Sequence, residues 1–557
     1  GRANSRRVTP RAEDGAVGRP AETSSVGPQV ADSSGKEVRS PVEGGGGRAA
    51  ARVGAGIFLS KIFGFVRERV FAHYFGSSGF ADAWWAALRM PNVVRNLLGE
   101  GTLSASLIPV YAEFLEEGRD EDAARFAGAA LGILIVVAAS VTLIGMAVAP
   151  LLVALFFPRW SPEIQELTVL LVRILFPMTG LFVISAWALG ILNSHRKFFV
   201  SFVAPVFWNI AMITAMIGGA LAFGLEGRPL VVALAWGALI GGGLTLLVQL
   251  PFLAAHARGM RVSLGRGVAG VREAIGNFVP VVAARGVVNL SGWIDMILAG
   301  RLMPGAVAVM GYAQTFSNLP IALFGTGVAA AELPEMSRMR GEAARVLAER
   351  VARSLERALW FLIPSAVGYL ALGDVVVAAL YQTGRFGEVQ TLVTWGVLSA
   401  YALGLPASAS SRVLSSAFYA LRDTRTPARL AYVRVGTAVV IGLSLMFPAD
   451  RIGFSTLRLG AAGLALGSTV GAWLEYGLLR RALVRRIGRH GAPTRTVLEL
   501  VLCASVAGLT GVLLQTVLPT AHPIVVALET LLPFGVVYLG ATSALGHGLP
   551  LRRRSRA

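Results

Sequence analysis

The sequence predicts an all-α integral membrane protein of about fourteen transmembrane helices: two parallel-repeat six-helix lobes plus a C-terminal helix pair. Three observations carry this prediction. Of 557 residues 54% are apolar and only 15% charged, with a mean hydropathy of +0.63, whereas soluble chains carry about 25% charged residues. From Val53 onward, apolar stretches of about 20 residues, enough to span a bilayer, succeed one another across short polar breaks. The arginines, finally, concentrate on alternate breaks, as cytoplasmic loops do.

The fourteen segments fall at 53–75, 81–112, 125–157, 166–193, 199–224, 229–256, 270–301, 306–336, 350–382, 388–420, 428–448, 458–484, 496–518 and 522–546. Residues 1–50 differ in kind: rich in Gly, Ser, Pro and Arg and without an apolar run, they read as a disordered extension on the cytoplasmic side. The rest divides into 51–257, the N-lobe with six helices; 258–490, the C-lobe with six more; and 491–557, the final pair and a basic tail. With the N-terminus inside, the inner breaks collect 27 basic residues, among them Arg196 and Lys197, Arg422, Arg425 and Arg429, and Arg480, Arg481, Arg485 and Arg486. The outer breaks hold only Arg159, Arg228, Arg301, Arg385, Arg451 and Arg458. An even helix count with both termini in the cytoplasm follows. The net charge of +19 is therefore largely an orientation signal, and nucleic acid is not the expected partner.

The repeat is visible in short matches. Met90-Pro91 corresponds to Leu319-Pro320, Leu107-Ile108-Pro109 to Glu332-Leu333-Pro334, residues 151–157 to 375–381, and 192–198 to 421–427. Each half holds six segments, so the copies run parallel, a doubling typical of secondary transporters whose halves rock about a central site.

Enzyme chemistry finds little support. Cys503 is the single cysteine, and His73, His195, His256, His490, His522 and His547 are scattered without metal-ligand spacing. The acidic break at 113–122 reads as a solvated helix connection. Charge inside the first two segments is the stronger signal. Lys61, Arg67, Glu68, Arg69, Asp82, Arg89, Arg95 and Glu100 all lie there, and an ionised group near the bilayer centre costs about 2.5–3.5 kcal/mol on insertion scales. Such groups must pair, snorkel or line water. Seven-residue spacing puts Lys61 with Glu68, and Asp82 with Arg89, on shared helix faces. Gly64 allows a bend, and Pro91 with Gly99 and Gly101 makes the second segment irregular. Arg69 and Arg89 read most simply as snorkelling or structural ion pairs. Arg67 and Arg95 better suit bidentate phosphate binding, so the cluster suggests an anionic, membrane-derived substrate.

The residues 64–68 (Gly-Phe-Val-Arg-Glu), Ala81-Asp82-Ala83, 91–95 (Pro-Asn-Val-Val-Arg) with Gly99-Glu100-Gly101, and 416–427 with its Asp-Thr-Arg-Thr-Pro ending resemble the MurJ/MviN family, over about 53–546. That family lies within the superfamily of multidrug and polysaccharide exporters. The resemblance implies two lobes around a cationic cavity, and alternating-access flipping of lipid II, the undecaprenyl-diphosphate-linked disaccharide pentapeptide, across the bacterial inner membrane. It implies a monomeric transporter among membrane lipids, not an enzyme, with no cofactor beyond a coupling cation, sodium or proton. It places the essential charges at Lys61, Arg67, Asp82 and Arg95, the cations holding the diphosphate and Asp82 organising or releasing them; the intramembrane Glu100 joins them as a candidate substrate-binding residue. The family's basic residue in the eighth helix would fall at Thr315, and Arg285 in the seventh segment is the expected replacement, unless it pairs with Asp295. Asp295 is also the candidate metal ligand, although 435–447 offers no Asn or Asp to complete a sodium site. Exporters of another lipid-linked glycan, or of drugs by cation antiport, and a polyprenyl-phosphate transferase are the alternatives.

Overall fold

The computed structural model describes residues 46–99, 102–103, 106–195, 197–256, 259–338, 344–454, 457–517 and 522–548. The chain forms two compact units, 1–51 and 52–557. The described part of the first, residues 46–51, is helical.

Helices account for nearly all of the second unit. The first half contains α1 (Gly46–Phe75), α2 (Gly79–Leu98), α3 (Ile108–Glu116), α4 (Asp120–Phe156), α5 (Pro162–Ser194), α6 (Phe198–Phe223) and α7 (Gly227–Ala254). The second half contains α8 (Val271–Ala299), α9 (Ala306–Pro320), α10 (Gly327–Arg338), α11 (Ala344–Tyr381), α12 (Glu388–Ala402), α13 (Leu405–Ala420), α14 (Arg425–Asp450) and α15 (Gly460–Ile487). The pair α16 (Thr494–Val517) and α17 (Pro523–Ala544) closes the chain. A two-residue hairpin, β1 (Gly453–Phe454) with β2 (Leu457–Arg458), joins α14 to α15.

Each of the fourteen apolar segments falls on helix, and ten stretches among the described residues are long and apolar enough to cross a membrane unaided. The first, second, seventh and twelfth segments are outside those ten. Two expected single helices are broken. Among the described residues the helix of the second segment stops at Leu98, helix is present again at 102–103 and 106, and α3 follows, while the eighth segment passes through a π-helical turn, Ile321–Thr326, directly after Pro320. Proline removes a backbone donor and crowds the preceding turn, and π-turns absorb such faults. On α4, Leu143, Ile144, Leu151 and Leu155 are exposed, as expected of a helix that faces lipid.

The halves share one packing device. Gly237 and Gly241 of α7 lie against α6, where an added Cβ would sit 2.4 Å from the Ala215 side chain and 2.9 Å from the Trp208 backbone. Gly463, Gly467 and Gly471 of α15 meet α14 in the same way; a Cβ on Gly467 would come within 2.5 Å of the Gly442 backbone. Small residues four apart let helices approach to backbone contact. Gly237 and Gly241 precede Gly463 and Gly467 by one common offset, which falls within the range of the sequence repeat. The C-terminal pair docks on α11: Tyr538 donates to the Trp360 carbonyl at 2.6 Å, and Gln515 donates to Asp374 at 2.9 Å.

Candidate functional site

A cavity of about 790 Å³ lies between α1, α2, α5, α6 and the α9–π-turn segment. Its ionisable lining among the described residues is Lys61, Arg67, Glu68 and Arg95. Trp85, Phe182 and Trp208 supply aromatic walls, and Asn92, Asn209, Thr315 and Asn318 supply neutral polar groups.

Local structure explains each placement. Arg67 is half-buried, donates to Asn209 Oδ1 at 3.1 Å, pairs with Glu68 and lies 5.1 Å from the centre of the Trp208 ring. Lys61 and Glu68 share a face as their spacing requires, yet Glu68 pairs with its neighbour Arg67, because seven residues separate Lys61 from it by about 10 Å along the axis. Arg95 lies 5.0 Å from the centre of the Phe182 ring, and no carboxylate among the described residues pairs with it. An arginine held on an aromatic face and lacking an acid keeps its planar fork of donors for a bound oxyanion.

Asp82 is not in this group. It is buried, 2% exposed, at the opposite end of α2. Its carboxylate accepts from the backbone N–H groups of Gly305 at 2.5 Å and Ala308 at 2.8 Å. It thus caps α9, a favourable place for negative charge at a helix N-terminus. The expectation that Asp82 organises the cavity cations does not match this geometry. The same end is tied elsewhere between the halves. Arg69 donates to the carbonyls of Ala379 and Leu380 at 2.7 and 2.9 Å, Tyr312 to the Gly76 carbonyl at 2.8 Å, and Arg385 pairs with Glu226 at 2.8 Å. Packed aromatic rings, Phe71, Trp85, Tyr312, Tyr381 and Phe386, fill the space between.

Asp295 of α8 belongs to a second polar network. It accepts from Ser468 at 3.3 Å and lies within electrostatic range of Arg89, which donates to Gln314 at 3.0 Å; Gln314 in turn donates to Tyr401 at 3.0 Å. One carboxylate, one hydroxyl and a nearby guanidinium are a poor oxygen cage for sodium, since hard cations want several oxygen ligands and no competing cation. Asp82 and Arg89 both turn toward α9, as their common face predicts. Arg285 falls within α8, but its side chain lies outside the described residues, and Glu100 lies outside them altogether. Thr315, the position at which the resemblance put a basic residue, lines the cavity with a neutral side chain. The sequence reading missed Asn209, Trp208 and Phe182. Asn209 could have been found as a lone amide in the apolar run 199–224.

With this geometry the chain takes its place among multi-span helical transporters. An inward-facing multidrug resistance MATE family transporter of the MOP superfamily is similar over 79% of this chain and 98% of its own, with a TM-score of 0.62 at 18% identity. A lipid II flippase MurJ solved in an inward closed conformation is similar over 88% and 98%, with a TM-score of 0.73 at 23% identity. At those identities the likeness is one of fold. The sequence is more particular: the family described as lipid II flippase MurJ matches residues 71–532, and the chain belongs to it. Its relatives include the probable lipid II flippase MurJ of Rhizobium tropici, 32% identical over 468 residues that cover 82% of this chain and 85% of that one. The lipid II flippase MurJ of Burkholderia cenocepacia is 30% identical over 446 residues, covering 79% and 84%.

Proposed function

We propose that this protein flips lipid II across the bacterial inner membrane by alternating access, and that Lys61, Arg67 and Arg95 hold its diphosphate. The observation that carries the reading is Arg95, half-buried in the cavity against Phe182 with no carboxylate partner among the described residues. Two guanidinium groups and an ammonium against a single acid in the described lining, Glu68, suit a dianionic headgroup. The aromatic walls suit sugar faces, and the cavity is of the size that takes a polar headgroup while the polyprenyl tail stays in the membrane.

Both termini lie in the cytoplasm in this reading, because the basic residues favour the breaks on that side. The end tied by Asp82, Arg69 and Arg385 is then periplasmic and closed, and the cavity is loaded from the cytoplasmic side. The two six-helix lobes, 51–257 and 258–490, rock about it, the last helix pair lying beside them. A single chain suffices, with no chemical step and no cofactor. Asp295 beside Arg89 is a poor sodium ligand, so the membrane potential or a proton gradient drives the cycle. Arg285 remains the proposed substitute for the missing charge at Thr315; flipping left intact in Arg285→Ala would remove it.

A drug exporter working by cation antiport would place unpaired acids in the cavity, and the described lining has the opposite balance. The test is rescue of cells depleted of their own flippase. Expression of this chain restores growth and outer-leaflet lipid II if the reading holds; membrane-inserted protein that restores neither refutes it.

A further inference from the structure

Between α13 and α14 lies a turn that the transport reading does not use. Arg422 has φ +60°, alone among the described non-glycine residues in the left-handed region, a conformation that persists only where surroundings hold it. The next residue, Asp423, accepts from the Thr426 backbone N–H at 2.9 Å and from its hydroxyl at 2.6 Å, and pairs with Arg486 of α15 at 2.6 Å. Arg486 also lies 5.4 Å from the centre of the Phe418 ring. These contacts shape a cavity of about 410 Å³ lined by Arg422, Arg425, Arg429 and Arg486 together with Asp423, Thr424 and Thr426.

The charge there does not balance. Four guanidinium groups surround one carboxylate, which Thr426 and Arg486 already occupy. No carboxylate among the described residues pairs with Arg422, Arg425 or Arg429. Basic residues orient a membrane protein from anywhere on an inner loop, so topology does not require them to converge on one cavity. Convergent arginines with free donor forks match the oxygens of a phosphate.

We propose that this arginine cradle binds a phosphate group at the inner membrane surface, that of an anionic lipid headgroup or of a soluble phosphate compound. The site is separate from the cavity of α1 and α2 and does not rest on the transport reading.

Purified full-length protein in phosphatidylcholine nanodiscs is titrated with inorganic pyrophosphate, and retention of phosphatidylglycerol is measured by native mass spectrometry from mixed-lipid discs. Both are repeated with Arg425→Gln/Arg429→Gln and with Arg95→Gln. The cradle's share is the saturable component that weakens about tenfold in the double variant, as expected for lost charge-assisted hydrogen bonds, and survives in Arg95→Gln. Pyrophosphate binding with this pattern assigns a soluble ligand, and phosphatidylglycerol retention with this pattern assigns a lipid headgroup. A folded double variant that binds both probes as the parent does overturns the proposal. Arg429→Gln alone, a change at an exposed position, is measured in parallel so that misfolding of the double variant leaves the question decidable.

Discussion

At the scale of single residues, what sets Arg95 apart is that no carboxylate among the described residues pairs with it. Arg67 beside it is neutralised by Glu68 and steadied by Asn209 and Trp208, so the two arginines are not equivalent. Removing Arg95 costs the folded protein no ion pair among the described residues. Arg95→Gln therefore loses only the contact with the Phe182 ring, worth about 0.5–2 kcal/mol, and is expected to lower thermal stability by no more than that while weakening lipid II binding by tenfold or more. Titration of purified protein with lipid II, alongside thermal unfolding, checks both halves of that statement. Asn209→Ala should act differently. It removes a hydrogen bond to Arg67 rather than a charge, and the expected result is a smaller loss of affinity with the same salt dependence. Histidine supplies a residue-scale prediction outside the membrane. His195, in contact with Tyr111 at 3.1 Å and packed 4.1 Å from the ring of His256, has its pKa lowered first by burial and then by the neighbouring imidazole. A depressed folded-state pKa means that the folded protein resists protonation, so this stability is present above the unfolded value of about 6.5 and is lost as pH falls through the folded one. Melting temperature measured from pH 7.5 down to 5.5 should fall more steeply for the parent than for His195→Gln.

At the scale of elements, the glycine rows of α7 and α15 bring paired helices into backbone contact. Gly467→Val would force branched carbon into a space bounded by the Gly442 nitrogen at 2.5 Å and the Ala438 carbonyl at 2.6 Å. Overpacking of this kind costs about 1–3 kcal/mol, with backbone rather than a flexible side chain in the way. A lowered midpoint of unfolding is expected, whereas Gly436→Ala, at an open position on α14, should be neutral. The helices, though not their glycine rows, were legible in the sequence. Apolar runs located the helices, Pro91 with Gly99 and Gly101 announced an irregular second segment, and charges out of place in lipid named Lys61, Arg67 and Arg95. The role of Asp82 was not legible. Its partners are backbone N–H groups 223 and 226 residues away, and a backbone donor leaves no residue type to recognise. Asn209 stood out only as a lone amide in an apolar run, and its role, like that of Trp208, comes from the approach of α6 to α1, which no local pattern records.

At the scale of the whole molecule, one end is fastened and the cavity lies toward the other. Asp82 holds the start of α9, Arg69 the end of α11, and Glu226 holds Arg385. Asp82→Ala leaves two N–H groups without an acceptor, a cost of about 1–3 kcal/mol for each group that stays dry. Faster amide exchange at Gly305 and Ala308 in a folded protein is the expected result; unchanged exchange would show that the cap does not fasten this end. The central claim remains that cations in the cavity carry a diphosphate across the membrane. It is tested most directly by quantifying outer-leaflet lipid II in flippase-depleted cells that express either this chain or its Arg95→Ala form at matched membrane levels. The account predicts that the parent restores the lipid and the variant does not. Equal restoration by the two proteins would contradict it.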